Sequence, residues 1–254
     1  MKKWIAMLLA MLMSLSLCAC GSTAPTADDA PEADAQEEAP EYPVYAITKY
    51  TNVLGTYELD DYELNDAGQI TAYTKYETRN GERTGHSTNV TVTYDDAGNP
   101  VKMRYENYSG YEEVVREFDD QGLVTKESWS SDYSFNDGKV FAYTYIFDDE
   151  GRVSKETSTN ENTGDSFERV YTYDENGYAV SYTETSYNPD GSVYSEWLLE
   201  MEYDDNGNIV KQIVTDTQDP DGGWDVEIVY DEIGTGTQEQ PPCSGFHYIY
   251  PEWL

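Results

Sequence analysis

The stretch Tyr203-Asp204-Asp205-Asn206-Gly207-Asn208-Ile209-Val210-Lys211 decides the fold of this chain. It opens with an aromatic residue, an Asp, a second acid, a variable residue and a Gly, and this motif recurs. Its glycines are Gly68, Gly98, Gly122, Gly151, Gly177, Gly207 and Gly234, at intervals of 24 to 30 residues. The residue four before each glycine is aromatic in six of the seven units. A motif that recurs at this spacing indicates repeated supersecondary units.

A second series of turn signals lies between these motifs. Its members are Gly55, Asn80-Gly81, Ser109-Gly110, Asn136-Asp137-Gly138, Gly164-Asp165, Pro189-Asp190-Gly191 and Asp221-Gly222. The intervening segments are rich in Tyr, Val, Thr and Phe and alternate with a period of two, which is typical of strands. The pattern predicts an all-β domain, a long antiparallel meander of about fourteen strands.

The acids of the motif have two interpretations, a calcium loop or a turn. With Gly207 at position six of an EF-hand-like loop, position one is Glu202 and position twelve is Ile213, so the bidentate acid is missing. An Asp that accepts backbone N–H groups, followed by a Gly in the left-handed conformation, is typical of a hairpin turn. We therefore expect turns, without metal or cofactor.

Each strand is expected to bury one face. In Val101 to Glu106, Val, Met and Tyr alternate with Lys, Arg and Glu. A flat sheet would leave the aromatic face wet, so we expect one strongly curved or rolled sheet with Tyr and Phe on its concave side. The outward residues are too polar for a membrane-spanning barrel, and closure of the sheet is left open.

The motif resembles the YD repeats of RHS proteins. The segments that carry the resemblance are Tyr203 to Val210, Tyr94 to Asn99 and Tyr173 to Tyr178, and it covers roughly residues 62–236. In that family such repeats form consecutive hairpins of a broad curling sheet that encloses cargo. Seven units are too few to enclose a folded domain, and the family's core motif and toxin domain are absent. The resemblance therefore implies architecture more than function.

The N-terminus predicts export. Lys2 and Lys3 precede a short apolar run that ends at Leu17, which is typical of a signal peptide. Leu17-Cys18-Ala19-Cys20 resembles the lipobox of bacterial lipoproteins, which implies cleavage after residue 19 and acylation of Cys20, with chains such as palmitate. Cys18 fits less well, and a buried apolar helix is the alternative. The resemblance implies anchoring at the outer face of the cell membrane.

Residues 20–43 read as the lipid anchor and a disordered acidic linker, and residues 44–254 as the β domain. The linker has seven acids, no Lys or Arg, and too few apolar residues for a core. If Cys20 carries lipid and Cys18 leaves with the signal peptide, Cys243 remains alone. We then expect no disulfide within the chain.

Charge limits the choice of partners. The chain has 50 acidic against 15 basic residues, a net charge of −35. Nucleic acid is excluded as a partner because its binding depends on Lys and Arg. Cations, basic peptides and neutral glycans remain, or the acidity serves only solubility.

Catalytic signals are weak. The two histidines, His86 and His247, are far apart in sequence and lie in no nucleophile motif. Cys243 with His247 would be half of a metal site at most. We expect no enzyme, with a carboxylate-based glycosidase as the less favoured alternative.

The aromatic residues favour binding. The chain has 24 Tyr and 5 Trp, and aromatic rings stack on sugars and peptide side chains. Trp129, Trp197 and Trp224, next to predicted turns or strand ends, are the candidate ligand-binding residues. The sequence thus predicts a lipid-anchored, non-catalytic binding or interaction module for a glycan, peptide or protein. A structural scaffold without a small ligand is the alternative.

Overall fold

The computed structural model describes residues 41–132, 136–219 and 222–238, which form fourteen strands. The strands are β1 Tyr42–Asn52, β2 Gly55–Leu64, β3 Ile70–Arg79, β4 Glu82–Tyr94, β5 Pro100–Asn107, β6 Gly110–Phe118, β7 Val124–Ser131, β8 Val140–Phe147, β9 Val153–Asn160, β10 Ser166–Tyr173, β11 Ala179–Tyr187, β12 Val193–Tyr203, β13 Ile209–Asp216 and β14 Trp224–Gly236. The first strand begins two residues before the predicted start of the β domain.

Every strand pairs antiparallel with its neighbours in the chain, and β1 also pairs with β14. The prediction of an all-β antiparallel meander is confirmed. The prediction of a curved or rolled sheet is wrong in one respect, because the sheet closes into a barrel. The closing ladder runs from Tyr42 opposite Gly236 to Thr51 opposite Glu227. Closure satisfies the backbone groups that two exposed edges would have left unpaired.

Six of the seven sequence motifs form the same hairpin turn. In the last of them the carboxylate Oδ1 of Asp204 accepts the backbone N–H groups of Asn206 (2.9 Å) and Asn208 (2.8 Å). Gly207 donates its N–H to the Asp204 carbonyl and has a φ of 82°, a conformation that glycine adopts without steric cost. These contacts confirm the predicted turn.

The seventh motif is not a turn. Asp231 and Gly234 lie inside β14, where they face Ala46 and Val44 of β1 across the closing ladder. The motif predicted a hairpin here because sequence alone does not show that another strand takes up these backbone groups. Pairing with β1 therefore overrides the local turn preference.

The two ends of the barrel differ. We call the end that carries the six motif turns the motif end, and the other the opposite end. Both described chain ends lie at the motif end, since Tyr42 faces Gly236 and both the N–H and the hydroxyl of Thr237 donate to the carbonyl of Asp66 in the first motif turn. The opposite end carries exposed apolar and aromatic side chains, namely Val53, Leu54, Tyr108, Val193 and Tyr194.

The interior has two apolar clusters. The larger spans β11 to β14 and the smaller spans β4 to β6; their members are Tyr182, Leu199, Met201, Ile209, Val214, Val226 and Ile228, and Val90, Met103, Tyr105 and Val114. The wall between them, β6 to β11, turns charged residues inward. The expected aromatic interior is therefore only part of what the barrel encloses.

The outer wall carries ion pairs, and it also exposes apolar side chains, namely Val115, Ile146, Val170 and Val229. Lys102 contacts Glu113 at 2.8 Å, and Lys211 contacts Asp225 at 3.0 Å. Among the described residues no helix is long and apolar enough to cross a membrane. Cys20, Cys243, His247 and the predicted signal peptide fall outside the described residues.

Candidate binding site

A groove opens at the opposite end of the barrel, over strands β8 to β12; we call it the mouth groove. Four aromatic side chains line it: Phe141, Phe167, Tyr187 and Tyr194. Tyr194 is 74% exposed at the rim, whereas the other three are half-buried. The groove is therefore lined by aromatic side chains that differ in their exposure.

Polar groups complete the lining of the mouth groove. They come from Asp165, Ser166, Ser186 and Asn188, and the groove has a volume of about 320 Å³. The carboxylate of exposed Asp165 accepts a hydrogen bond from the Thr163 hydroxyl at 2.8 Å, which fixes it on the rim. A mixed aromatic and polar lining of this size fits a small ligand or one side chain of a larger partner.

Strand alternation explains what lies beneath the groove. Side chains two residues apart on a strand point the same way, so Phe167 stands above Arg169 on β10, and Ser186 above Glu184 on β11. The Arg169 guanidinium also lies over the Phe167 ring, 4.6 Å from its centroid. The floor of the groove thus rests on a buried charged group.

That group is a three-residue ion-pair cluster. Arg169 donates from Nε to Glu184 (2.7 Å) and from a terminal nitrogen to Glu156 (3.1 Å), and the Tyr171 hydroxyl donates to Glu156 as well. Burial disfavours the charge on Arg169, but Glu184, Tyr182 and Glu156 outweigh it and raise the pKa of the guanidinium. Arg169 therefore remains a cation between its two carboxyl partners.

The cluster is closed to solvent. The side chains of Glu156, Arg169 and Glu184 are 1%, 12% and 10% exposed. Burial, with the nearby carboxylates of Glu127 and Glu156, also raises the pKa of Tyr143. A glycosidase needs two carboxyl groups that reach the substrate, and these two are held by one arginine under an aromatic floor.

A second buried pair lies further along the wall. Arg116 donates to Glu127 at 2.8 Å, and the indole N–H of Trp129 donates to the same carboxylate at 2.7 Å. Each buried charge thus has a partner, as burial requires.

The three predicted ligand-binding tryptophans are placed in two groups. Trp129 packs against the smaller apolar cluster. Trp197 and Trp224 lie together, with ring centroids 5.2 Å apart, against the larger one. None of the three lines the mouth groove, and their role in ligand binding stays a prediction. Trp197 lies within β12 and not at a turn.

No metal centre is present among the residues that the structure describes: no group of three or more His, Cys, Asp or Glu side chains is arranged to hold an ion. The turn carboxylates are directed at backbone N–H groups instead, as at Asp95, which accepts from Ala97 and Asn99. His86 lies beside the exposed ring of Tyr108, 5.3 Å between centroids.

Sequence reasoning missed the mouth groove and the cluster beneath it. The groove aromatics lie close to the second series of turn signals, which is a usable indication of one barrel end. The sequence also contains an indication of the cluster, because Arg169 lies on the same face of β10 as Phe167, Tyr171 and Tyr173. An arginine on the aromatic face of a strand predicts a buried partner.

Comparisons with known proteins add little to this geometry. No protein-family model matches the chain, and no curated protein matches it in sequence. Similar solved structures include a porin-like protein from Bacteroides vulgatus ATCC 8482, at 14% identity and a TM-score of 0.42, covering 72% of this chain and 97% of that one. Another is a porin-like protein from Bacteroides uniformis ATCC 8492, at 12% identity and a TM-score of 0.39, covering 73% and 98%.

A third similar structure is TcdB2-TccC3-TEV, at 11% identity and a TM-score of 0.24. The match covers 70% of this chain and 12% of that one. With TM-scores below 0.5, none of the three likenesses carries an argument about function.

Proposed function

We propose that this protein is a lipid-anchored, non-catalytic binding module of the bacterial cell envelope, with the mouth groove as its ligand site. The observation that carries the proposal is the groove itself: four aromatic and four polar side chains gathered at one end of a closed barrel. Concave, largely aromatic sites with a few polar groups are typical of ligand binding.

The position of the chain ends supports this arrangement. Residues 42 and 236 lie at the motif end, and the groove lies at the opposite end. A tether through the linker to Cys20 would therefore join the barrel at the motif end, the end that does not carry the groove.

The outer wall supports a lipid anchor over insertion of the barrel itself. Charged side chains such as Lys102, Glu113, Lys211 and Asp225 lie on the wall as ion pairs. Strands that face lipid carry a continuous apolar band, and a lysine in that band costs about 2 to 4 kcal/mol at the membrane midplane.

A binding screen tests the ligand site. The full chain in detergent micelles would be screened against cell-wall and host glycans and against peptides, and each hit repeated with Tyr194→Ala. Tyr108→Ala is the matched control, because Tyr108 is an equally exposed tyrosine at the same barrel end outside the groove. We expect ligands that Tyr194→Ala weakens and Tyr108→Ala does not. Ligands whose affinity is unchanged in Tyr194→Ala, or the absence of any ligand in the screen, would favour the scaffold alternative.

The anchor has a separate test. Cys20→Ala should move the protein from the membrane fraction to the soluble fraction and abolish labelling by a fatty-acid analogue. Cys18→Ala, two residues away in the predicted signal peptide, is the control and should leave both unchanged. Membrane retention of Cys20→Ala would show that the anchor is assigned to the wrong residue.

A further inference from the structure

We infer that the mouth groove recognises an organic ammonium cation, a positively charged nitrogen that carries alkyl groups. This inference rests on the proposed function and names its ligand class. It follows from three properties of the groove: the aromatic rings that line it, the sign of the charge in its wall, and its size.

Aromatic rings supply the first property. Phe141, Phe167, Tyr187 and Tyr194 converge on one small groove. The face of an aromatic ring carries partial negative charge, so a cation within about 6 Å of the ring centre is attracted to it. Alkylated ammonium groups gain most from such a site, because they lose little hydration when they leave water and their methyl groups pack on the rings.

Charge supplies the second property. Asp165 places a carboxylate in the wall, and none of the described residues that line the groove is a Lys or Arg. Arg169, the cation beneath the floor, already contacts Glu156 and Glu184, so this cluster has one more carboxyl group than it has guanidinium groups. The wall of the site is therefore negative, and the guanidinium beneath its floor is already paired with two carboxyl groups.

The charge of the whole chain acts in the same direction. A net charge of −35 raises the local concentration of cations and repels anionic ligands such as acidic glycans. General attraction of this kind does not localise a ligand to one site on the surface. The aromatic rings and Asp165 would localise the cation to the mouth groove.

Size supplies the third property. A volume of about 320 Å³ is at the lower end of the range for ligand pockets, about 300 to 1,000 Å³. It accommodates a trimethylammonium head group or the end of a lysine side chain. A single neutral sugar ring would also fit, so a neutral sugar belongs in the test.

The experiment compares ligands of matched shape. The full chain in detergent micelles would be titrated calorimetrically at physiological salt with four compounds. They are choline, 3,3-dimethyl-1-butanol, an Nα-acetyl-lysine amide whose side-chain ammonium group is free, and a methyl glucoside. The second compound has the shape of choline but no charge. We expect one of the two cations to bind at least about fivefold more tightly than the neutral isostere, the size of a cation–π contribution near 1 kcal/mol. Choline and the lysine amide distinguish a quaternary head group from a peptide side chain.

Variants assign the binding to the groove. Tyr194→Ala and Asp165→Asn should each weaken binding of the preferred cation by about fivefold. Tyr108→Ala and Glu82→Gln are the controls, since they make the same type of change in exposed residues at the same barrel end, outside the groove. Both controls should leave the affinity within about twofold.

Four results would overturn the inference. Equal affinity for choline and its isostere would show that charge is not recognised. Cation binding that all four variants leave unchanged would show general attraction to an acidic surface only. Tightest binding of the glucoside, lost in Tyr194→Ala, would replace the cation by a neutral sugar and leave the proposed function intact. If no probe binds and the wider screen finds no ligand sensitive to Tyr194, the proposed function fails as well.

Discussion

The hydroxyl of Tyr203 donates a 2.6 Å hydrogen bond to the backbone carbonyl of Ala179. Tyr203 precedes one motif turn and Ala179 opens the strand that follows the previous one, so the bond joins two consecutive repeats. Tyr94 and Tyr173 make the corresponding bonds to Ile70 and Val153. The hydroxyl thus has a structural role in the three motif turns that carry tyrosine at this position, whereas Phe118 and Phe147 supply only a ring in two others.

This link predicts a measurable contribution to stability. Tyr203→Phe removes the hydroxyl and keeps the ring, so we expect a loss of about 1 kcal/mol in the free energy of unfolding, measured by urea denaturation of the full chain. Burial raises the pKa of Tyr203 to about 12, so its hydroxyl is a donor at neutral pH. Tyr108→Phe, at an exposed position, is the control. Equal stability of the two variants would contradict the link.

The turn carboxylate predicts an order of stability. Asp204→Ala loses three hydrogen bonds, two from backbone N–H groups and one at 3.1 Å from the side chain of buried Asn208. We expect a loss of about 2 kcal/mol in urea denaturation. Asp204→Asn should lose less, because the first motif uses Asn65 to accept the same two backbone bonds. The interpretation fails if the Asn variant is as unstable as the Ala variant.

The turns also predict a dependence on pH. Hydrogen bonds from the side chain and then the backbone of Asn99 lower the pKa of Asp95 below its ordinary value of 3.8. A lowered pKa in the folded state means that the stabilisation is complete above the ordinary value and is lost as the pH falls through the folded-state value. The stability advantage of the wild type over Asp95→Asn should therefore be constant from about pH 7 to 5 and shrink below about pH 4. An advantage that does not change at low pH would contradict the assignment.

The cluster under the mouth groove predicts a large loss when it is broken. Arg169→Met leaves two buried carboxyl groups without their cation, and we expect a loss of about 3 to 5 kcal/mol in the free energy of unfolding. Adding Glu156→Gln and Glu184→Gln should restore much of it. Lys102→Met, which removes an exposed partner of Glu113, is the control and should cost about 1 kcal/mol or less. A small effect of Arg169→Met would mean that the cluster is not buried as described.

The closing ladder predicts an intolerant glycine. A Cβ on Gly236 would lie 2.4 Å from the Cα of Gly68 and 2.6 Å from the carbonyl oxygen of Ala67. Gly236→Ala must therefore push β14 away from the first motif turn, at a cost of about 1 to 3 kcal/mol. Gly222→Ala, whose Cβ would meet nothing closer than 3.6 Å, is the control. Tolerance of Gly236→Ala would contradict the close contact at the barrel seam.

The sequence by itself determined the features that depend on neighbours along the chain. Six motif turns, the antiparallel meander and the inward face of strands such as β5 follow from local spacing, because a turn needs only its own Asp and Gly and alternation needs only a strand. The predicted anchor at Cys20 belongs to the same local class, although no described residue tests it.

Only the tertiary structure decided what depends on residues far apart. Closure joins Tyr42 to Gly236, and the same pairing turns the seventh motif at Gly234 into a strand. The mouth groove brings Phe141 and Tyr194 together from strands that are four apart in the barrel. Such contacts depend on the curvature and register of the whole sheet. The twist and register shift between neighbouring strands add up over all fourteen strands, so no single repeat determines them.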